Sequence, residues 1–168
     1  FVEAKLRALG ATIERQPGTG GFGDILVGRL PGEQNGPGIL LLGHIDTVHP
    51  VGTLAGPLPF RVEGDRAYGP GIYDMKGGNA IALAALAHLR ATGRRPHLPV
   101  TVMMIPDEEV GSPSSRAAIE AEAKKHRLVL VVEPSAEDGR ITIARHGIAR
   151  WHLRTIGRPA HAGAYHAA

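Results

Sequence analysis

Three short apolar runs organise this chain: Ile39–Leu42, Val100–Ile105 and Leu128–Val132. Runs of that length, rich in β-branched residues, predict strands buried on both faces, as in parallel sheets. Between them the period lengthens. Gly78–Leu89 predicts a helix with Ala80, Ile81, Ala84, Ala85 and His88 on one face, widened by Leu83, Leu86 and Ala87; Gly93 ends it. Ser112-Pro113 predicts the start of a second helix reaching about His126, with proline near its first turn. An amphipathic helix opens the chain over Phe1–Leu9. Thr12–Glu14 and Asp24–Gly28 are strand-like, and Phe60–Glu63 with Ala67-Tyr68 predicts a hairpin around Gly64-Asp65. Ile141–Ala144 and Ile148–Thr155 are two further predicted strands. Alternation of strand and helix predicts an α/β fold.

That alternation stops near Gly147, where a turn-rich stretch, Gly157–Gly163, leads to the chain end. Residues 1–146 are therefore expected to form one domain and 147–168 the beginning of another. Both ends read as cut, since Phe1 opens inside a helix and Ala164–Ala168 closes no element. The 168 residues suffice for a proper core, and 43% hydrophobic with 21% charged residues describes a globular chain. No stretch is long enough to span a bilayer.

The charge balance changes little. Net charge is +3, from 15 Arg and 4 Lys against 16 acids, and no acid follows Asp138. Nucleic-acid binding would need an aromatic platform or a basic helix beside the arginines, and neither is evident, so no nucleic-acid partner is expected. The chain has no cysteine. Disulfides and thiolate ligands are excluded, and any bound metal must use histidine and carboxylates. This assigns no compartment.

Each principal apolar run ends in such residues. The first delivers His44 and Asp46, the second Asp107-Glu108-Glu109, the third Glu133. In open α/β sheets ligands bind outside the carboxyl ends of the strands, so residues far apart in sequence converge there. In His44-Ile45-Asp46, positions i and i+2 share a face, and Asp46 can accept a hydrogen bond from the imidazole. A solvated histidine before a turn fits the same three residues. Asp74 precedes the helix at Gly78, where an N-cap is the plain alternative; the glycines at 69, 71, 77 and 78 permit a tight path that aims it inward. Three adjacent acids at 107–109 repel one another unless a cation is near, although a helix N-terminus also favours them. Adjacent side chains diverge at a strand end, so one carboxylate can bind metal while its neighbour acts as a base. Glu133, closing an apolar run, fits a ligand or a glutamate at the mouth of the core.

The order and spacing of four segments resemble the M20 family of zinc peptidases. They are Leu42-Gly43-His44-Ile45-Asp46-Thr47-Val48, Tyr68–Gly78 around Asp74, Pro106–Ser112, and Val132-Glu133-Pro134. Within the family the chain is most similar to the glutamate carboxypeptidase (carboxypeptidase G2-like) group; Pro59–Asp65 and Gly157–Gly163 also fit. The resemblance implies a three-layer zinc-exopeptidase-like catalytic domain with a mixed, mainly parallel sheet, lacking its C-terminal part. It also implies that 147–168 begin a smaller α+β lid or dimerisation domain.

By the same resemblance the complete site holds two zinc ions, with cobalt as a substitute. His44, Asp74 and Glu133 would bind the first, Asp74 would bridge, Glu109 would bind the second, and a cis peptide would follow Asp74. Glu108 would be the general base, Asp46 would orient His44, and His161 would polarise the substrate carbonyl, often across a homodimer. A further histidine of the second site lies beyond this segment in the family, so the 168-residue piece alone is expected to be nearly inactive. The implied substrate is a small peptide with a C-terminal residue such as glutamate. Deacylation of an N-acyl amino acid, or a metal-binding module without catalysis, are the alternatives.

Overall fold

The computed structural model describes residues 1–135, 138–157 and 163. Contacts divide the chain into two units, Phe1–Pro134 and Ser135–Ala168.

In the first unit, helix α1 (Val2–Ala8) leads to strands β1 (Thr12–Gln16), β2 (Ile25–Leu30) and β3 (Ile39–His44). A hairpin follows, β4 (Arg61–Glu63) and β5 (Arg66–Tyr68), and then helix α2 (Gly77–Ala91). Strand β6 (Val100–Ile105), helix α3 (Arg116–Ala123) and strand β7 (Leu128–Val131) complete it. The main sheet has the order β1-β2-β6-β3-β7. β6, β3 and β7 pair in parallel, whereas β2 is antiparallel to both β1 and β6. β1 therefore runs with β6, and four of the five strands share one direction.

β6 is central, and all six of its residues are buried. Alternate side chains leave opposite faces of a strand. Val100, Val102 and Met104 pack with Leu6 of α1 and Leu86 of α2. Met103 and Ile105 pack with Val27 and Leu40, under Ala118, Ile119 and Ala123 around α3. This makes three layers, helices on both faces of one sheet, as the α/β reading expects.

Three expectations need correction. β7 is a strand but not a buried one: Leu128–Val131 are 42–54% exposed. It pairs only with β3 among the described residues, so it is an edge and lacks cover on its far side. The inward face of α2 is also rotated from the one expected. Asn79, Ala82 and Leu86 are buried, while Ala80, Ile81, Ala84, Ala85 and His88 are exposed. Alanine is nearly indifferent to burial, so an Ala-rich pattern has little contrast. Finally, Ile141–Ala144 and Ile148–Thr155, in the second unit, are not strands. Ile141, Ile143, Ile148, Trp151 and Leu153 are almost fully exposed, and no ladder partner faces them among the described residues.

A charged cluster on the α3 side of the sheet joins β2, β6 and α3. Glu122, 2% exposed, accepts from Arg29 at both oxygens, Nη2 to Oε2 being 3.0 Å, and from Lys125 Nζ at 2.9 Å. His126 Nδ1 lies 2.8 Å from the Glu122 carbonyl and Nε2 2.8 Å from Thr101 Oγ1. The hydrogen bond from Arg29 dominates and, against the burial that opposes it, holds the Glu122 carboxyl down at about 2. A carboxyl depressed in the folded state stabilises fully above its unfolded value and loses that contribution as pH falls through the folded value. From pH 4.5 down to about 2 the protein should thus lose roughly 3 kcal/mol through this group. Urea midpoints measured across that range should fall more steeply for the parent than for Glu122→Gln; parallel pH profiles would refute this.

Candidate metal centre

β6, β3 and β7 are parallel neighbours, so their carboxyl ends share one edge of the sheet. Register aligns His44 with Ile105 and Leu42 with Val131. Pairing continues past the strand ends: Ile45 N–H donates to the Ile105 carbonyl at 2.9 Å and Val132 N–H to the Leu42 carbonyl at 3.3 Å. His44, the 107–109 acids and Glu133 leave the sheet together for this reason.

Asp74 arrives from outside the sheet, between β5 and α2. Gly71 turns the chain with φ 67°, and a Cβ there would fall 2.4 Å from both Lys76 Nζ and Thr47 Cγ2. The Asp74–Met75 peptide is cis, as the family resemblance implies. Met75 is 1% exposed beneath the strand end, and its Sδ accepts from His44 N–H at 3.1 Å, while Asp74 projects toward the imidazole. Lys76 Nζ donates back to the Pro70 carbonyl at 3.1 Å, closing the loop.

A close contact sets where α2 begins. A Cβ on Gly78 would sit 1.7 Å from the Val132 carbonyl oxygen. Only glycine permits this approach, which brings the Asp74 segment against the residue before Glu133. Gly78→Ala should push the two apart and destabilise the fold by about 1–3 kcal/mol, the usual range for overpacking. Chemical denaturation would measure it, and an unchanged midpoint would show that α2 shifts freely.

The donors converge. His44 Nε2 is 3.1 Å from Asp74 Oδ1 and 3.6 Å from Glu133 Oε1. Ligand atoms of His44, Asp74 and Glu109 lie within 4.8 Å of one another, as do those of His44, Glu108 and Glu133. Asp46 serves two neighbours. His44 Nδ1 is 3.1 Å from the Asp46 backbone carbonyl and 3.3 Å from its Oδ1, whereas Oδ2 accepts the Glu109 N–H at 2.9 Å. The ring hydrogen-bonds to the Asp46 carbonyl and not, as expected, to its carboxylate: Oδ1 has no hydrogen-bond partner among the described residues, and Oδ2 reaches across to the acid loop. His161 lies outside the described residues.

Electrostatics records the crowding of acids. Burial, then the hydrogen bond to and charge of Asp74, push Glu133 up to about 7. Burial also raises Glu108; the His44 charge opposes this, and Glu109, Asp46 and Asp74 reinforce it. Burial draws the His44 imidazole down, but the Asp74 hydrogen bond and the surrounding carboxylates outweigh it, and the net direction is up. These shifts describe a cluster with more negative charge than its own cations balance.

Two contributors to this geometry escaped the sequence reading of individual residues. Asp107, 0% exposed, is turned away from the donors: its Oδ2 accepts from Ser114 N–H at 2.6 Å and Ser115 N–H at 3.0 Å. It ties down the loop that carries Glu108 and Glu109. Asn79 Nδ2 donates to the His44 carbonyl at 2.8 Å. Phasing α2 on Asn79, Ala82 and Leu86 would have exposed this one; a buried acid among three adjacent ones carries no such signal.

Comparisons with known proteins place the chain in a family. Over 98% of its length the chain is 46% identical to carboxypeptidase G2 of Pseudomonas sp. (strain RS-16), of which it spans 40%. Over 44% of its length it is 42% identical to the putative succinyl-diaminopimelate desuccinylase DapE of Mycobacterium tuberculosis (strain ATCC 25618 / H37Rv), spanning 19% of it. The fold matches an M20 family metallo-carboxypeptidase from Sulfolobus solfataricus with a TM-score of 0.65 at 22% identity, over 82% of this chain and 32% of that one. The chain thus spans less than half the length of these relatives. The model of peptidase family M20/M25/M40 matches residues 40–161, and the chain belongs to that family.

Proposed function

We propose that the full-length protein is a metal-dependent amide hydrolase, a carboxypeptidase that releases a C-terminal residue such as glutamate. The observation that carries this is the facing of His44 Nε2 by Asp74 and Glu133 at 3.1 and 3.6 Å, with Glu108 and Glu109 in reach. Tetrahedral donors about 2.1 Å from one zinc lie roughly 3.4 Å apart, and the two distances bracket that value. One imidazole among carboxylates, without thiolate, suits zinc or cobalt. Kinship with carboxypeptidase G2 supports the substrate class.

His44, Asp74 and Glu133 would hold the first ion, and Asp74 and Glu109 the second, with a further histidine from beyond residue 168. Bound metal would supply Lewis-acid polarisation and a more acidic water. Glu108, held in the same cluster and raised by burial, is suited to take a proton from that water and return it to the leaving amine. Asp46 would fix the His44 ring and the acid loop together. His161 would polarise the scissile carbonyl, in a homodimer across the subunit boundary. Residues 1–146 would be the catalytic domain without its C-terminal part, and 147–168 the start of the lid.

A second reading, deacylation of N-acyl amino acids, rests on the similarity to the desuccinylase. The test is a panel of peptides ending in glutamate, other dipeptides and N-acyl amino acids, given to the full-length protein with zinc or cobalt. Release of C-terminal glutamate is expected to be fastest. Preference for N-acyl amino acids would favour the second reading, and no turnover by metal-loaded protein would overturn both.

A further inference from the structure

Both backbone polar groups of His44 are held by the segment that follows Asp74. Its N–H donates to Met75 Sδ, and its carbonyl accepts from Asn79 Nδ2 at 2.8 Å. Asn79 is 6% exposed and belongs to the first buried turn of α2. The end of β3 and the segment leading into α2 are separate, and each presents one of the two donors that lie 3.1 Å apart. Asn79 is a direct polar link between those elements, one turn from Asp74.

The link is not made in the way that favours stability most. Asn79 Oδ1 is buried and has no hydrogen-bond partner among the described residues. It is wedged against Gly43, where a Cβ would fall 2.1 Å from it. A buried polar atom left unpaired is destabilising. Leucine has nearly the same volume and would fill this helix–sheet contact with no such atom, although it would leave the His44 carbonyl without the amide. Stability alone is close to indifferent between the two side chains; the geometry of His44 is not.

We propose that Asn79 is a positioning residue of the metal centre, its amide fixing the end of β3 against α2 so that the His44 and Asp74 donors are already spaced for an ion. The inference rests on the metal reading given above. Without the tether the strand end would be held to this segment by packing and by the weak hydrogen bond from His44 N–H to Met75 Sδ, which leaves small sliding motions freer. An ion would then have to draw the donors together, and its binding would weaken accordingly. Partners behind metal ligands typically contribute ten- to a hundredfold in affinity.

Asn79→Leu tests this in the protein as it stands. Zinc is titrated calorimetrically into metal-free protein, cobalt(II) serves as a spectroscopic probe, and the thermal midpoint of the metal-free form is taken alongside. Expected are a metal-free midpoint close to the parent's, a ten- to hundredfold loss of zinc affinity, and a changed cobalt absorption band. Should Asn79→Leu fail to fold, Asn79→Ser keeps the site polar while its hydroxyl stops short of the His44 carbonyl, and the same loss is expected. Parent-like zinc affinity and an unchanged cobalt spectrum in a folded variant would overturn the proposal. So would a loss of affinity that merely follows a loss of fold. A parent protein that takes up neither ion would overturn the metal reading itself, and this inference with it.

Discussion

Glu108→Gln in the full-length protein should bind metal as the parent does and turn over substrate about a hundred- to ten-thousandfold more slowly, the range a positioned general base contributes. Glutamine keeps the size and the hydrogen-bonding outline of glutamate but cannot take a proton. The side chain sits where its carboxyl is pushed above the ordinary range, by burial first and by Glu109, Asp46 and Asp74 in addition, while the His44 charge works the other way. A base raised toward neutrality is the better matched to moving a proton at neutral pH. Zinc titration separates the outcomes. Lost turnover with retained metal supports the role, and turnover equal to the parent's removes Glu108 from it. Lost turnover together with lost metal would make Glu108 a ligand instead.

His44→Ala should have the largest effect on metal uptake. The imidazole is the one nitrogen donor in either group of ligand atoms, and it belongs to both. It is 1% exposed at the end of β3, so its removal also leaves a cavity that water will fill beside Asp74 and Glu133. What remains of either group among the described residues is carboxylates alone, a donor set suited to harder cations such as magnesium or calcium. Zinc affinity should fall by at least a hundredfold, more than for loss of a partner behind the ligands. Calorimetry would measure this, and zinc binding undiminished by the substitution would exclude His44 from the centre.

The parts of this architecture legible from sequence are those where residue type and period carry contrast. β6 is an unbroken apolar run because both of its faces are covered, and the chemistry lies just past its end. His44 and Glu133 were visible because a charged or basic group closing an apolar run is unusual. Asp74 was not visible from period at all; it lies in a loop, and only its motif drew attention to it. The facing of α2 was misread because alanine marks neither side, and the residue that does mark it, Asn79, is polar. Nor does an apolar run tell a central strand from an edge, which is why the exposure of β7 was missed. The Arg29–Glu122 pair joins residues 93 positions apart, a separation no local pattern encodes.

The two carboxylates proposed as base and as ligand stand beside strands of unequal security. Glu108 is anchored beside β6, buried throughout and bonded on both edges. Glu133 follows β7, half exposed and bonded on one edge. Backbone amides in such places open to solvent with very different ease. Escape of a bound ion would then begin with β7 peeling away from β3 and carrying Glu133 off, while the base stays where it is. If Glu133 holds an ion as proposed, the lifetime of that ion would be a property of this edge of the sheet.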